Sequence, residues 1–252
     1  MIDLTPLVRF GLVLVRTGVL IGFAPVFGGL STPPMVKIGL SVVLAAVLAP
    51  FVALPATLTT AGLGVVLARE VAIGVALSLS VSLVVEAAQL AGYLTGFQLG
   101  FSYASVADPQ TGVQNNIIAN LYGMMALLVF LGINGHHDVI RALAWSYRAL
   151  PVGVGHVHAS LSGTITQMLG FVLADGVQLA APVIIVLLVL QLAIGLMTRV
   201  APSLNVLVVS FPLQLLVGLI TLVMVIQLLP VAVSGWVREA LELAGRLVQA
   251  LR

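Results

Sequence analysis

Cysteine is missing from this sequence altogether, so disulfides and thiolate chemistry are excluded, while the compartment stays open. Charge is scarce as well. Only 7% of the 252 residues are Asp, Glu, Lys or Arg, where soluble domains carry roughly 25%. No GxSxG, HExxH, P-loop or GxGxxG stretch occurs, which removes the motif grounds for a hydrolase, a zinc enzyme or a nucleotide-binding domain. The formal net charge is +2, but the basic residues are scattered and form no stripe, so no nucleic-acid partner is expected. The opening MIDLTPLVRF has no basic n-region, and no cleavable signal is expected.

What the chain has in abundance is apolar sequence. Hydrophobic residues make up 61% of it, and the mean hydropathy is +1.23. That composition describes an integral membrane protein, or a subunit buried in a membrane assembly, of all-α class. Runs of ~20 apolar residues can each span a bilayer, and hydropathy suggests four to six spans. Leu4 to Phe27 is one apolar run, Ile38 to Pro50 a short helix, and Thr60 to Ala107 a single long helical stretch. Ile117 to Gly132 and Val139 to Leu150 are helical on either side of NGHHD. Ile165 to Thr198 and Val206 to Leu229 are joined by the polar tip TRVAPSLN. Pro230 is placed to kink the last helix, whose sequence WVREALELAGRLVQALR is amphipathic.

Several charges interrupt these runs: Arg16, Glu70, Glu86, Asp175 and Arg199. A charge at the bilayer centre costs about 2.5–3.5 kcal/mol on insertion scales unless it is paired or reaches water. They must therefore pair inside a bundle, or sit on helices that pack against protein. For Glu70 the candidate neighbours are Arg69 and Glu86, with proton relay as the chemical alternative to structural pairing. His136-His137-Asp138 invites a metal or proton-transfer reading, yet adjacent histidines on a helix do not share a face and no third ligand is well placed. A polar helix end with Asp138 as cap carries more weight. No catalytic residue, metal or cofactor is assigned.

The central stretch is the most unusual. Ala88, Gly92, Gly96, Gly100 and Ala104 recur every fourth residue, a small-residue ridge that lets another backbone approach closely. The ridge leads through Phe101, Tyr103 and Val106 to Asp108-Pro109, where proline disfavours helix for the residue before it. Gly112, Gln114, Asn115, Asn116 and Asn120 follow. Irregular polar backbone at membrane depth is tolerated only where protein surrounds it or it lines a wet cavity.

In order and spacing, these segments resemble the FliR family of flagellar type III export-gate subunits and its virulence-system counterparts. The resemblance rests on LSTPPMVKIGLS, AREVAIGVALSL, AAQLAGYLTGFQLGFSYASVADP, LLVFLGINGHHDVIRAL, Leu150-Pro151 and LAAPVIIVLLVLQLAIGLMTRVAPSLNVLVVSFPLQLLVGL. It runs almost end to end; the loop after Asp108-Pro109 is polar and variable-looking, and the region around His156 carries no matching motif.

The resemblance implies a chain whose residues 1–163 are FliP-like and whose residues 164–252 form a FliQ-like helical hairpin. Such subunits build, with FliP and FliQ, a closed and helically staggered pore for unfolded flagellar proteins in the inner membrane, within the flagellar basal body. A large FlhB-type export-gate subunit is a further implied partner. Phe101, Tyr103, Val106, Asp108 and Pro109 fall in the family's pore plug, with Val106 smaller than the aromatic residue expected there. Ala88, Gly92, Gly96 and Gly100 would be a packing ridge, and Arg16, Glu70, Glu86 and Arg199 buried or interface charges. The rival readings are a small-molecule secondary transporter and an intramembrane hydrolase or metal enzyme.

Overall fold

The computed structural model describes residues 5–28, 32–54, 60–101, 116–153, 160–200 and 206–251. Helix accounts for about 91% of these residues and no strand occurs among them, which makes the chain all-α. The helices are α1 (Thr5–Phe23), the single turn α2 (Pro25–Gly28), α3 (Pro34–Leu48), α4 (Thr60–Gln98), α5 (Ile117–Gly132), α6 (Gly135–Ala149), α7 (Ser160–Val200), α8 (Val206–Ile226) and α9 (Leu229–Ala250). Among the described residues four spans are long and apolar enough to cross a membrane: α1, α3 with the 3-10 turn that follows it, α4 and α7. The number rises to six if the bent pairs α5 with α6 and α8 with α9 each count as one span.

Proline sets several of the boundaries. α1 stops at Phe23 because Ala24 precedes Pro25, and a residue before proline is pushed out of the helical region. Pro34 opens α3, where its missing N–H costs nothing. That helix tightens into the 3-10 turn Ala49–Phe51 around Pro50. α5 and α6 are separated by Asn134, which adopts φ 61°. Asparagine is among the few side chains that enter the left-handed region readily. Pro230 does not kink a continuous helix: α8 ends at Ile226, and Pro230 sits in the first turn of α9, where proline is tolerated.

Hydroxyls on such apolar helices find partners locally. Ser41 donates to Lys37 O at 2.7 Å, Ser80 to Ala76 O at 2.8 Å and Thr221 to Val217 O at 2.8 Å. Each bonds the carbonyl one turn back, so these three hydroxyls are not left open to an apolar surrounding.

Residue contacts divide the chain into two compact units, and four helices contribute to both. The first comprises Met1–Leu83, Phe130–Leu169 and Trp236–Arg252, the second Val84–Val129 and Gly170–Gly235. In the first unit the core draws on Leu12, Val13, Leu20 and Ile21 of α1, Ile73 and Leu77 of α4, and Val139 and Leu143 of α6. From α9 it takes Trp236, Val237, Ala240, Leu243, Ala244 and Leu247. That three-to-four spacing is the amphipathic pattern of the sequence, turned inward. In the second unit Ala87, Ala88 and Ala91 of α4 are buried, as are Tyr122 and Ala126 of α5 and Ala180, Val183 and Leu187 of α7. Ile185, Val189, Leu192 and Leu196 of α7 and Leu216, Ile220, Val223 and Met224 of α8 are exposed. Apolar faces of this kind suit lipid or an apolar protein neighbour.

Candidate functional site

Arg16 is fully buried, and so is Glu70. They meet side by side: Arg16 Nε donates to Glu70 Oε2 at 2.7 Å, and Nη2 donates to Oε1 at 3.1 Å. This fork-to-carboxylate geometry is the strong form of an ion pair. The remaining donors reach the end of α6. Nη1 bonds Ser146 Oγ at 3.1 Å, and Nη2 also bonds Leu150 O at 3.2 Å. Ser146 Oγ itself donates a hydrogen bond to Leu143 O at 2.7 Å. The guanidinium lies 4.2 Å from the centre of the Tyr147 ring, and the Tyr147 hydroxyl donates to Val13 O at 3.0 Å. One arginine thus ties α1 to α4 and α6.

The backbone must come close for this to happen. A Cβ on Gly74, one turn after Glu70, would stand 2.9 Å from Arg16 O and 2.9 Å from Val19 Cβ. Arg69 points elsewhere: its Nη1 donates to Gly153 O at 3.0 Å, in the turn where Gly153 has φ 80°. Glu70 therefore pairs with Arg16 and not with Arg69. Glu86 is exposed and lies sixteen residues along the same helix, about 24 Å at 1.5 Å per residue, so it does not share a site with Glu70. Arg199 is exposed in the last turn of α7.

The His136 and His137 rings lie 4.2 Å apart between centres, tilted at 52° to each other, inside α6, which starts at Gly135. Asp138 is consequently a first-turn residue and not the cap, and it pairs with Arg141 at 3.0 Å on an exposed face. Among the described residues no group of three His, Cys, Asp or Glu could hold a metal ion.

The second place of interest is the end of α4. The helix runs to Gln98, nine residues short of the expected Ala107. Gly100 takes φ 87°; its N–H bonds Phe97 O at 3.1 Å, and Phe101 N–H bonds Gly96 O at 3.1 Å. This pair of bonds is a Schellman motif, with glycine in the left-handed position that ends the helix. The other end of the intervening segment is fixed by Asn116. Its Oδ1 accepts from Ile118 N at 3.1 Å and Ala119 N at 3.2 Å, capping α5, while Nδ2 donates to Tyr93 O at 3.1 Å.

The small-residue ridge serves this arrangement. Ala88 is buried, and a Cβ on Gly92 would lie 2.6 Å from Ala119 Cα. A Cβ on Gly96 would collide with the Asn116 amide. Phe101 is 40% exposed. Tyr103, Val106, Asp108 and Pro109 lie outside the described residues.

Gly74, Ser146, Tyr147 and the Leu150 carbonyl were not singled out from sequence. Gly74 lies four residues after Glu70, a spacing that places both on one helix face and could have marked it.

The long apolar helices are those of an all-α membrane protein. The chain belongs to the bacterial export proteins, family 1, whose model matches residues 7–240. It is 34% identical over 217 residues to the flagellar biosynthetic protein FliR of Pectobacterium carotovorum, covering 86% of this chain and 83% of that one. Against the flagellar biosynthetic protein FliR of Bacillus subtilis the identity is 32% over 209 residues, 81% and 80% of the two chains. The surface presentation of antigens protein SpaR of Shigella flexneri matches at 30% over 105 residues, 40% and 39% of the two chains. The family is one of export components and not of known enzymes.

Proposed function

We propose that this chain is a core subunit of the flagellar type III protein export gate. The observation that carries the reading is the family match over residues 7–240, together with about one-third identity to FliR proteins along more than four-fifths of the chain. The family match does not favour a small-molecule transporter. On this reading the chain sits in the inner membrane within the flagellar basal body. It joins homologues of FliP and FliQ, and a large subunit of the FlhB type, in a closed conduit for unfolded flagellar proteins. Residues 1–163 form the FliP-like part and residues 164–252 the FliQ-like hairpin. The exposed apolar faces of α7 and α8 support contact with such neighbours, and Glu86 and Arg199 serve as interface charges.

The plug is assigned to Phe101, Tyr103, Val106, Asp108 and Pro109. An apolar constriction excludes water and ions by dewetting, and the helix stop at Gly100 leaves Phe101 partly exposed at the head of that segment. The double change Phe101→Ala with Tyr103→Ala removes both rings. Cells carrying the whole apparatus should then assemble the complex normally and admit ions or small solutes at rest. If the aromatics are ordinary packing residues, the change costs about 3–5 kcal/mol per ring and assembly falls instead. A fully assembled and fully sealed variant would remove the plug from these residues.

A further inference from the structure

The last four carbonyls of a helix have no partner inside it, and at the end of α4 each is taken by a different donor. Thr95 O accepts from Leu99 N, Gly96 O from Phe101 N, and Phe97 O from Gly100 N. Gln98 O accepts from the side-chain amide of Gln214, on α8. One turn along α8, Gly218 leaves the room that the Leu99 side chain fills. A Cβ at Gly218 would fall on Leu99 Cδ2 and stand 3.3 Å from both terminal methyls of Leu187. Leu99 is fully buried there. The residues that follow are the left-handed Gly100 and then Phe101.

Gln214 stands in a helix of almost unbroken apolar sequence, where a primary amide is costly unless it is bonded. Its partner is the one α4 carbonyl that the Schellman turn leaves open. Gly218 and Gln214 are four residues apart and so share a face of α8. Together they grip two consecutive residues, one by hydrogen bond and one by shape.

We propose that Gln214 and Gly218 are positioning residues of the gate. Acting through Gln98 O and Leu99, they fix the direction in which the chain leaves α4 at Phe101. This rests on the plug reading above. It assigns α8 a task within its own chain, separate from any contact between subunits.

The test uses the complete apparatus in cells and reads solute leak at rest, protein export and recovery of the assembled complex. Gln214→Met keeps the side-chain length and removes the donor. It should assemble and raise the leak several-fold. Gln214→Lys restores a donor at a helix C-terminus, where a cation is favoured, and should return the leak to the parent level. Equal leak in both variants would overturn the role of the hydrogen bond, since lost packing alone would not distinguish them. The Phe101→Ala, Tyr103→Ala variant runs alongside. If it leaks while Gln214→Met is sealed, the positioning proposal fails and the plug reading stands. If both are sealed, both fail. Should Gln214→Met not assemble, Gly218→Ala carries the test, with Gly218→Ala, Leu99→Val returning the lost room. The first should leak and the second seal. A sealed Gly218→Ala, or loss of assembly in it as well, leaves these residues a structural role only and overturns the proposal.

Discussion

Arg16 brings a permanent charge into a place without solvent, and its surroundings answer that charge nearly group by group. Glu70 neutralises it, Ser146 and Leu150 O take further donors, and the Tyr147 ring covers one side. A buried pair of this kind adds little net stability compared with a well-packed apolar pair, but removing one partner strands the other and costs about 3–5 kcal/mol. Arg16→Leu and Glu70→Gln should each lower the thermal stability of the detergent-solubilised chain by that order. Arg16→Met combined with Glu70→Leu should recover most of the loss. Single variants as stable as the parent would show that the pair does not hold α1 to α4.

Both residues were legible in the sequence as charges needing an answer, because nothing apolar could absorb them. Their pairing was not legible. Fifty-four positions separate them, and Arg69 stood next to Glu70 along the chain. Adjacent residues on a helix do not face each other, Arg69 bonds Gly153 O instead, and Gly74 leaves the room in which α1 comes close to α4.

At the scale of the element, α4 shows where pattern reading stops. Its apolar sequence continues past Gly100 with no breaker before Asp108-Pro109, so periodicity extended the helix to Ala107. The structure ends it at Gln98 because glycine enters the left-handed region without the clash a Cβ brings. Gly100→Ala should therefore cost about 1–2 kcal/mol, seen as a lower unfolding temperature and faster proteolysis near Phe101. An unchanged temperature and cleavage rate would mean that the turn tolerates a side chain.

The ridge was legible as a line of close approach, but its partner was not. Gly92 and Gly96 meet the start of α5 in the same chain. Gly96→Leu must displace the Asn116 amide, and overpacking of this kind typically costs about 1–3 kcal/mol. The loss should already be measurable in the isolated chain. Normal stability alone, with poor recovery of the complex, would assign the ridge to a neighbouring subunit instead.

For the whole molecule, the contrast between the paired Arg16–Glu70 cluster and bare apolar helices is the informative feature. Composition made the membrane class and the all-α build plain. It could not say which apolar faces meet lipid and which meet protein, since both reward the same side chains. Arg199, exposed in the last turn of α7, separates two possibilities at the hairpin tip. As a charge that merely complements the helix dipole it contributes about 0.3–1 kcal/mol, and Arg199→Glu would leave export nearly unchanged. As an interface charge its reversal should reduce export of flagellar proteins while helix content stays constant by circular dichroism. The most direct measurement for the export-gate assignment is purification of the tagged chain from native membranes in mild detergent, followed by mass spectrometry of what accompanies it. Small hydrophobic homologues of FliP and FliQ should co-purify in a fixed ratio to this chain; a chain recovered alone, with both homologues present in the same membranes, would contradict it.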